Sequence, residues 1–530
     1  MIKNKINFYK TKQRMSLDEE NIKVFQNTCL PDYQNLVDVD FSNFLELVEF
    51  NDNSFENAYL LKEIIFPPNI QIIAGFKYCT KLVSLDFSNC EKLHKFDESV
   101  FSNAWSLEQI IFPPNVKEIE GFKDCTSLVS LDLSYCLELE KISSFAWKNA
   151  SSLEQIIFPL NVKIVRGFVN CTNIVSLDFS NCLKLLQFSS AVFFDAWSLD
   201  EIIFPPNIQT IGEYKEFANC TRLVSLDFSN CDKLEKFGDT SFFNAWSLEQ
   251  IIFPPNIKII EGFNYCTSMV SLDFSNCSKL EKLTSYAFCN AWSLQNIVFP
   301  PNVKIIGEFN NCTRLVSLNF SNCEQLRKFE RFAFNHAWSL EQIIFPPNVK
   351  IIGGFRECTK LVSLQLSNCL QLEKFYENAF ESNISLRDIQ FPPNLRIIDS
   401  YAFQRCKSLR TIQSPGLVEI IGESAFRNCS KLEQVTFEGP VVLAEGAFEN
   451  CPRLVRRVYL QTRFVDCIYG KYCELKDSMK FEKVECGISL EEFEDDSCIV
   501  ILRCGHAFLE ESFHEWARRQ RICPACKQRI

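Results

Sequence analysis

Long apolar runs are missing from this sequence of 530 residues. The first segment, Met1–Met15, is polar and basic, and it lacks the apolar stretch of about 7–15 residues that a secretory signal requires. No stretch of the sequence reaches the ~18 uninterrupted apolar residues of a membrane-spanning helix. We therefore expect a protein that enters neither the classical export route nor a membrane, and that resides in the cytoplasm or the nucleus.

A net positive charge and glycine-rich nucleotide-binding motifs are also lacking. The formal net charge is -11, whereas nucleic-acid binding needs a basic surface that neutralises phosphates. None of the 16 glycines forms a phosphate-binding G-x-x-x-x-G-K-[ST] motif or a dinucleotide fingerprint, and nothing supports a hydrolase. The sequence thus argues against nucleic-acid binders and nucleotide-dependent enzymes, and it favours neutral or basic protein partners.

What the sequence does contain is a repeat. One apolar anchor recurs with alternating long and short steps, about 46 residues per pair, as expected for leucine-rich units of roughly 20–29 residues. Two kinds of turn alternate: one carries a proline pair such as Pro113-Pro114, and the other is bounded by cysteines such as Cys79 and Cys90. The anchors are Leu36, Leu61, Leu82, Leu107, Leu128, Leu153, Ile174, Leu199, Leu223, Leu248, Met269, Leu294, Leu315, Leu340, Leu361, Leu386, Leu409 and Leu432.

The spacing L-x-x-[LI]-x-F is typical of a short strand. Its anchors turn into a core while the residues between them alternate outward. One unit alone cannot bury that apolar face, but stacked units can. Proline lacks the donor that a strand ladder needs, so we expect each strand to end at a pair such as Pro113-Pro114.

At this point a family resemblance becomes specific. The proline-bearing turns resemble leucine-rich repeats of the BspA type, and the turns with the pattern C-x2-L-x2-L-x-L-x2-C resemble the cysteine-containing subclass met in F-box ubiquitin-ligase adaptors. The resemblance covers residues 29–454 and implies an α/β repeat solenoid, with parallel strands joined by short helices or turns. We predict an N-terminal cap at 1–28, the solenoid at 29–460, a linker at 461–482 and a small α+β module at 483–530.

Most of the 26 cysteines lie on the repeat. Pairs such as Cys79 and Cys90, or Cys125 and Cys136, could be imagined as a metal ladder, but each lacks the C-x2-C partner of a zinc clasp. The favoured interpretation is that they are small, reduced side chains buried between turns, and not a disulfide framework.

Acidic residues occupy two outward columns of the predicted strands, where like positions two turns apart recur at about 10 Å. Two interpretations stay open: a face that binds a basic protein substrate, or charges that only keep a long exposed sheet soluble. The first column contains Glu108, Glu154, Asp200 and Glu249, and the second contains Asp86, Asp132, Asp178, Asp227 and Asp273.

Tryptophans recur just before the strand in an Ala-Trp-Ser-Leu motif. They could form ligand cages, but we favour structural wedges between turns. They are Trp105, Trp197, Trp246, Trp292 and Trp338.

The C-terminal segment has a different pattern. Cys504 and His506 form a C-x-H pair, and Cys523 and Cys526 form a C-x2-C pair. Such pairs clasp one tetrahedral zinc ion from short turns, and three cysteines with one histidine are an ordinary closed set. The segment resembles the RING-H2 family of ubiquitin ligases over about 45 residues, and in that family these four positions hold one zinc ion.

The family's other zinc site is degenerate here. By the resemblance its ligand positions would be Cys486, Ser489, Leu509 and Ser512. A serine hydroxyl is a poor zinc ligand and leucine is none. We therefore expect one Zn²⁺ ion in total, with hydrogen bonds and packing in place of the second.

The same resemblance implies which residues contact a partner. RING ligases contain no catalytic nucleophile; they hold a ubiquitin-charged conjugating enzyme in a reactive geometry. The contact residues carried over are Ile488, Trp516 and Pro524, and Lys527 stands where many active family members carry an arginine. Lysine keeps the charge but not the bidentate fork.

We therefore predict a RING-type E3 ubiquitin-protein ligase whose repeats bind the protein substrate. The alternative is a non-catalytic interaction scaffold, in which the C-terminal module only docks or dimerises. A third interpretation, surface adhesion of the BspA kind, requires export and is the least favoured.

Overall fold

The computed structural model describes residues 23–26, 33–212, 214–284, 286–414, 418–437 and 441–454 of the chain. Of the C-terminal part it describes 459–460, 468–471, 486, 488–489, 491–494, 497–502, 506–517, 520 and 522–527. The chain folds into two compact units, Met1–Met269 and Val270–Ile530. In each unit most repeat turns contribute one strand to a first row, row A, and one shorter strand to a second row, row B.

The first unit contains parallel strands in both rows. Its row A strands are Asp38–Asp40, Glu63–Ile65, Ser84–Asp86, Gln109–Ile111, Ser130–Asp132, Gln155–Ile157, Ser176–Asp178, Glu201–Ile203, Ser225–Asp227 and Gln250–Ile252. Its row B strands are Val24–Phe25, Glu49–Phe50, Ile72–Ile73, Lys95–Phe96, Glu118–Ile119, Lys141–Ile142, Thr210–Ile211, Lys236–Phe237 and Ile259–Ile260. A 3-10 helix covers Tyr33–Asn35.

The second unit repeats the arrangement, again with parallel pairing in both rows. Its row A strands are Ser271–Asp273, Asn296–Val298, Ser317–Asn319, Gln342–Ile344, Ser363–Leu364, Asp388–Gln390, Thr411–Ser414, Gln434–Phe437 and Tyr459–Leu460. Its row B strands are Lys282–Leu283, Ile305–Ile306, Lys328–Phe329, Ile351–Ile352, Lys374–Phe375, Ile397–Ile398, Ile420–Ile421 and Val442–Leu443. The predicted fold class is confirmed, with about 18 turns along the chain.

Turns, and not helices, connect the strands of the repeat. Within residues 33–454, the described part contains no helix other than the 3-10 helix Tyr33–Asn35. Two strands and two changes of direction already occupy most of each unit of roughly 23 residues. Left-handed backbone closes many of these turns, for example at Asn149 and Asn170 with φ of 64° and 60°. Asparagine tolerates this conformation better than most residues do.

The asparagines of these turns also bond to one another. Nδ2 of Asn149 donates to Oδ1 of Asp124 at 2.7 Å, and Nδ2 of Asn170 donates to Oδ1 of Asn149 at 2.9 Å. A second column follows the proline pairs, where Nδ2 of Asn115 donates to the Glu91 carbonyl one turn earlier at 3.1 Å. The bond from Asn115 satisfies a backbone carbonyl, whereas the other two join side chains of successive turns. Neither column was predicted.

A column of aromatic rings fills the core of the first unit. Phe101 stacks on Phe122 with ring centroids 5.3 Å apart, and Trp147 stacks on Phe168 at 5.2 Å. All four side chains are fully buried. Because each ring packs against rings from neighbouring turns, no turn buries its aromatic face alone.

The C-terminal module belongs to the second unit and is built differently. Strand Ile468–Lys471 pairs antiparallel with Cys498–Ile501, which pairs antiparallel with Ala507–Leu509. The helix Glu510–Ala517 follows directly. The first of these strands lies in the segment predicted as a linker, so that segment contributes to the module's sheet.

Candidate metal centre and binding face

Three of the four predicted zinc ligands converge in the C-terminal module. The ligand atoms of His506, Cys523 and Cys526 all lie within 4.8 Å of one another. The fourth predicted ligand, Cys504, lies outside the described residues. Zinc bonds to sulfur at about 2.3 Å and to imidazole nitrogen at about 2.0–2.1 Å, so the ligand atoms of a tetrahedral site stand ~3.5 Å apart. The residues present therefore fit a zinc ion after small side-chain movements.

Local backbone geometry positions these ligands. His506 immediately precedes strand Ala507–Leu509, and its carbonyl accepts the Leu502 N–H at 2.8 Å. At the other pair, the Cys523 carbonyl accepts the Lys527 N–H at 2.9 Å, and the Cys523 sulfur accepts the Cys526 N–H at 3.5 Å. Cys523 is buried, whereas Cys526 is exposed. The C-x2-C turn thus holds one sulfur inside the module and one at its surface.

Hydrogen bonds surround the cysteine of the degenerate site. The Cys486 sulfur accepts the Leu509 N–H at 3.2 Å, and the Ser489 hydroxyl also bonds to it. Burial alone would raise the pKa of the Cys486 thiol. The hydrogen bonds from Ser489 and from the backbone of Ile488 and Leu509 together lower it by more, so the pKa lies below its ordinary value. Residues from two predicted ligand pairs thus meet here as hydrogen-bond partners.

The predicted conjugating-enzyme contacts lie in this module too. Trp516, on helix Glu510–Ala517, donates its Nε1 hydrogen to the Ile522 carbonyl at 2.9 Å. Nζ of Lys527 lies 5.3 Å from the centre of the Trp516 ring system and donates to the Pro524 carbonyl at 2.9 Å. Trp516, Lys527 and Pro524 therefore form one cluster. Ile488 is half-buried in the turn that follows Cys486.

The aspartate column of row A has a structural role that was not predicted from the sequence. Oδ1 of Asp178 accepts the Ser180 N–H at 2.8 Å, which closes the turn after the strand. Oδ1 of Asn319 does the same for Ser321 at 2.9 Å, so the carboxylate is replaceable. The same bond recurs at Asp86, Asp132, Asp227 and Asp273.

The other acidic column has no such turn bond. Glu108, Glu154 and Glu249 are exposed. Asp200 is half-buried, and its Oδ1 pairs with Nε of Arg222 at 3.0 Å. A surface pair of this kind stabilises little, because solvent and salt screen it. The column therefore presents carboxylates to solvent without an evident need for them in folding.

The tryptophan prediction requires correction. Trp105, Trp197 and Trp246 in the first unit expose 51%, 52% and 52% of their side chains, and Trp292 and Trp338 in the second expose 50% each. They are therefore not buried wedges, since about half of each residue faces solvent. Periodicity alone did not show which side of the turn they occupy.

Comparison with known proteins identifies the repeats. Residues 4–129, 48–167, 140–262, 235–354 and 327–455 match the family described as BspA type leucine rich repeat region. The chain belongs to the BspA-type leucine-rich repeat family. Residues 484–527 match the family described as Ring finger domain. No curated protein matches the chain in sequence.

Several solved structures are similar to this BspA-type chain. A leucine-rich repeat protein from Bacteroides ovatus is 20% identical over 82% of this chain and 94% of its own, with a TM-score of 0.44. A leucine-rich cell surface protein from Faecalibacterium prausnitzii is 16% identical over 63% and 83%, with a TM-score of 0.35. Within the described residues, no helix has the length and apolarity to cross a membrane.

The BspA-type repeats and the RING-type finger together support a role in protein–protein interaction. The finger also implies zinc binding, which the cluster of His506, Cys523 and Cys526 can provide.

The cysteines of the leucine-rich repeats are core residues, as predicted. Cys90 and Cys136 are buried free thiols, and Cys90 directs its S–H to the Pro67 carbonyl one turn earlier at 3.7 Å. Burial, assisted by the charge of Asp86, raises the pKa of Cys90 to about 12. Burial likewise raises the pKa of Cys323 to about 12.

These thiols predict alkaline unfolding of the repeats. Between pH 9 and 12 the folded repeats keep thiol protons that the unfolded chain loses, so the free energy of unfolding falls as pH rises through this window. We expect the melting temperature to change little between pH 7 and pH 8 and to drop steeply above about pH 9. Circular dichroism melts at fixed ionic strength measure this. A flat profile up to pH 11 would contradict it.

The turn bond of Asp178 predicts a difference between two substitutions. Asp178→Asn keeps the acceptor and should change the free energy of unfolding by less than about 0.5 kcal/mol, since Asn319 is the natural example. Asp178→Ala removes the acceptor and should cost about 1 kcal/mol. Urea denaturation of both variants measures the difference. Equal losses would show that the charge, not the acceptor, stabilises the turn.

Proposed function

We propose that this chain is a RING-type E3 ubiquitin-protein ligase, in which the leucine-rich repeats bind the protein substrate and a one-zinc finger recruits the ubiquitin-charged conjugating enzyme. The observation that carries the proposal is the convergence of His506, Cys523 and Cys526 beside the helix that holds Trp516. A cytoplasmic or nuclear location is part of the proposal.

The chain's own residues would act by positioning. His506, Cys523 and Cys526, with Cys504 as the predicted fourth ligand, would hold a structural zinc ion that fixes the C-terminal turns. Trp516 is held by its bond to the Ile522 carbonyl and is half-buried, so part of its ring can contact a partner protein. Ile488, Pro524 and Lys527 would complete this contact.

The reaction itself would take place on the bound enzyme. A substrate lysine amine attacks the thioester carbonyl at the C-terminus of ubiquitin, an amide bond forms, and the carbon–sulfur bond breaks. The proton that the attacking amine loses passes to the departing sulfur, so the conjugating enzyme leaves with a free cysteine thiol. The ligase contributes geometry and no nucleophile.

A reconstituted assay tests this proposal. We expect the full chain, incubated with activating enzyme, ubiquitin, ATP and a panel of conjugating enzymes, to form ubiquitin chains on itself or a partner. Trp516→Ala should reduce the rate at least about tenfold, since truncating a central interface tryptophan removes much of the binding energy. Tyr135→Ser, at an exposed position of the leucine-rich repeats, is the control and should leave self-modification unchanged.

The alternative is a non-catalytic scaffold, and one observation favours it. The Lys527 ammonium lies over Trp516 and bonds to the Pro524 carbonyl, so its interactions stay within the module. A scaffold would retain partner binding after Ile488 and Trp516 are replaced. No chain formation by a folded, zinc-loaded protein across the whole enzyme panel would favour the scaffold over the ligase.

A further inference from the structure

The exposed tryptophans are the feature that the proposed function leaves unexplained. Their backbone is fixed: the Trp246 carbonyl accepts the Ser268 N–H at 3.1 Å and the Thr267 hydroxyl at 3.4 Å. In the preceding tryptophan turn, the Trp197 carbonyl accepts the Thr221 hydroxyl at 3.5 Å. About half of each indole nevertheless faces solvent. Large apolar side chains held rigidly at a surface are typical of binding sites.

Apolar side chains of row A accompany them. Val224 exposes 46% and Ile252 exposes 53% of its side chain, although a solvated strand position needs neither. The same two columns contain Val83, Val129, Val175, Ile111, Ile157 and Ile203, each at least 40% exposed. Row A therefore has an apolar component on its outer face along the whole first unit.

Carboxylates alternate with these apolar residues from turn to turn. In the pairing register Asp227 stands beside Ile252, and the Glu249 N–H bonds to the Val224 carbonyl at 2.8 Å. Within the described residues Glu249 makes no ion pair. In each of the two columns, acidic and apolar residues therefore alternate from one turn to the next. Successive turns are about 4.8 Å apart, so residues of the same kind recur about every 9.6 Å.

The spacing of about 9.6 Å between like residues favours some peptide conformations over others as partners. Strand residues of row A use their N–H and C=O groups in parallel pairing, so a partner on this face must bind through side chains. A polyproline II segment needs no backbone partners and repeats every three residues, about 9.3 Å. An α-helix repeats its face about every seven residues, or about 10.5 Å, and loses register over successive turns.

We propose that the outer face of row A in the first unit binds a proline-rich, basic segment of a partner protein in the polyproline II conformation. Prolines pack against Trp197 and Trp246 and against the exposed Val224 and Ile252, as aromatic-lined grooves do in known polyproline recognition. Lysine or arginine side chains of the segment face the carboxylates of the acidic columns, Glu249 first. This rests on the proposed function only in taking the bound protein to be a substrate for ubiquitin transfer.

Peptide binding tests the assignment without any conjugating enzyme. We use the full chain and the synthetic peptide (Pro-Pro-Lys)4, following tryptophan fluorescence at low and physiological salt. Saturable binding that weakens with salt is expected. (Gly-Gly-Lys)4 and (Pro-Pro-Glu)4 are the controls for charge alone and for conformation alone, and both should bind at least about tenfold more weakly.

One repeat of the chain carries serine at the position where other proline-bearing repeats carry the exposed tryptophan. Ser151 occupies the tryptophan position in the turn between those of Trp105 and Trp197, so Trp→Ser is compatible with the fold. A variant with serine at the three exposed tryptophans of the first unit, Trp105, Trp197 and Trp246, should bind the peptide at least about tenfold more weakly. For that variant, lacking these reporters, isothermal titration calorimetry replaces fluorescence. Tyr135→Ser removes a 76% exposed aromatic outside the columns and should have no effect.

A second measurement uses the unaltered protein. Bound peptide should protect the exposed indoles from oxidation by N-bromosuccinimide. No saturation up to about 1 mM peptide, equal binding of the glycine peptide, or tighter binding of a lysine-bearing helical peptide would each overturn the proposal. Because self-modification in the ligase assay needs no substrate peptide, failure here and failure of the ligase proposal are separate outcomes.

Discussion

Cys523→Ser is expected to remove zinc from the C-terminal module and to abolish ubiquitin chain formation. Cys523 is 1% exposed, its sulfur lies within 4.8 Å of the ligand atoms of His506 and Cys526, and a serine hydroxyl is a poor zinc ligand. Structural zinc contributes about 10 kcal/mol or more to a small finger, which exceeds what a module of this size gains from its own core. The module should therefore unfold while the repeats stay folded.

Elemental analysis of the purified full chain measures this result. We expect one zinc ion per unaltered chain and only a small fraction of that zinc content in Cys523→Ser. Cys498→Ser is the control, because Cys498 is an exposed cysteine of the same module and is not one of the clustered ligands His506, Cys523 and Cys526. Two ions per unaltered chain would contradict the one-zinc assignment, and equal zinc loss in Cys498→Ser would contradict the ligand set.

Periodic features of the fold were predictable from the sequence. The anchor spacing predicted the strands of row A, because each anchor must reach a core that only neighbouring turns complete. The shorter strands of row B, such as Glu118–Ile119, were not predicted. The repeat cysteines were predicted as buried thiols for the same reason. The C-x-H and C-x2-C spacings led to the cluster of His506, Cys523 and Cys526, since pairs on short turns can clasp one ion.

Side-chain orientation, and strand pairing between segments far apart in the sequence, were not predictable. Asp178 and Trp246 recur as regularly as any core residue, and regularity does not show that one closes a turn and the other faces solvent. Near-identical copies repeat structural and functional residues alike. Strand Ile468–Lys471 pairs with Cys498–Ile501 across a long stretch of chain, and such non-local pairing leaves no local pattern in the sequence.

The aromatic column of the core gives the second large prediction. Phe242 is fully buried, and its ring stacks on Phe217 at 5.3 Å and on Phe263 at 5.2 Å, with interplanar angles of 9° and 16°. Phe242→Ala removes both contacts and leaves a cavity between three turns. We expect the free energy of unfolding to fall by about 3–5 kcal/mol.

The adjacent residue is a natural control for this effect. Phe243 is half-buried and meets Tyr265 edge-on at 5.7 Å, so Phe243→Ala should cost about 1 kcal/mol. Urea denaturation followed by circular dichroism compares the two variants. Because repeats interact mainly with their neighbours, hydrogen exchange should also increase most in the turns on either side of Phe242. If both variants lose stability equally, stacking along the column is not what holds successive turns together.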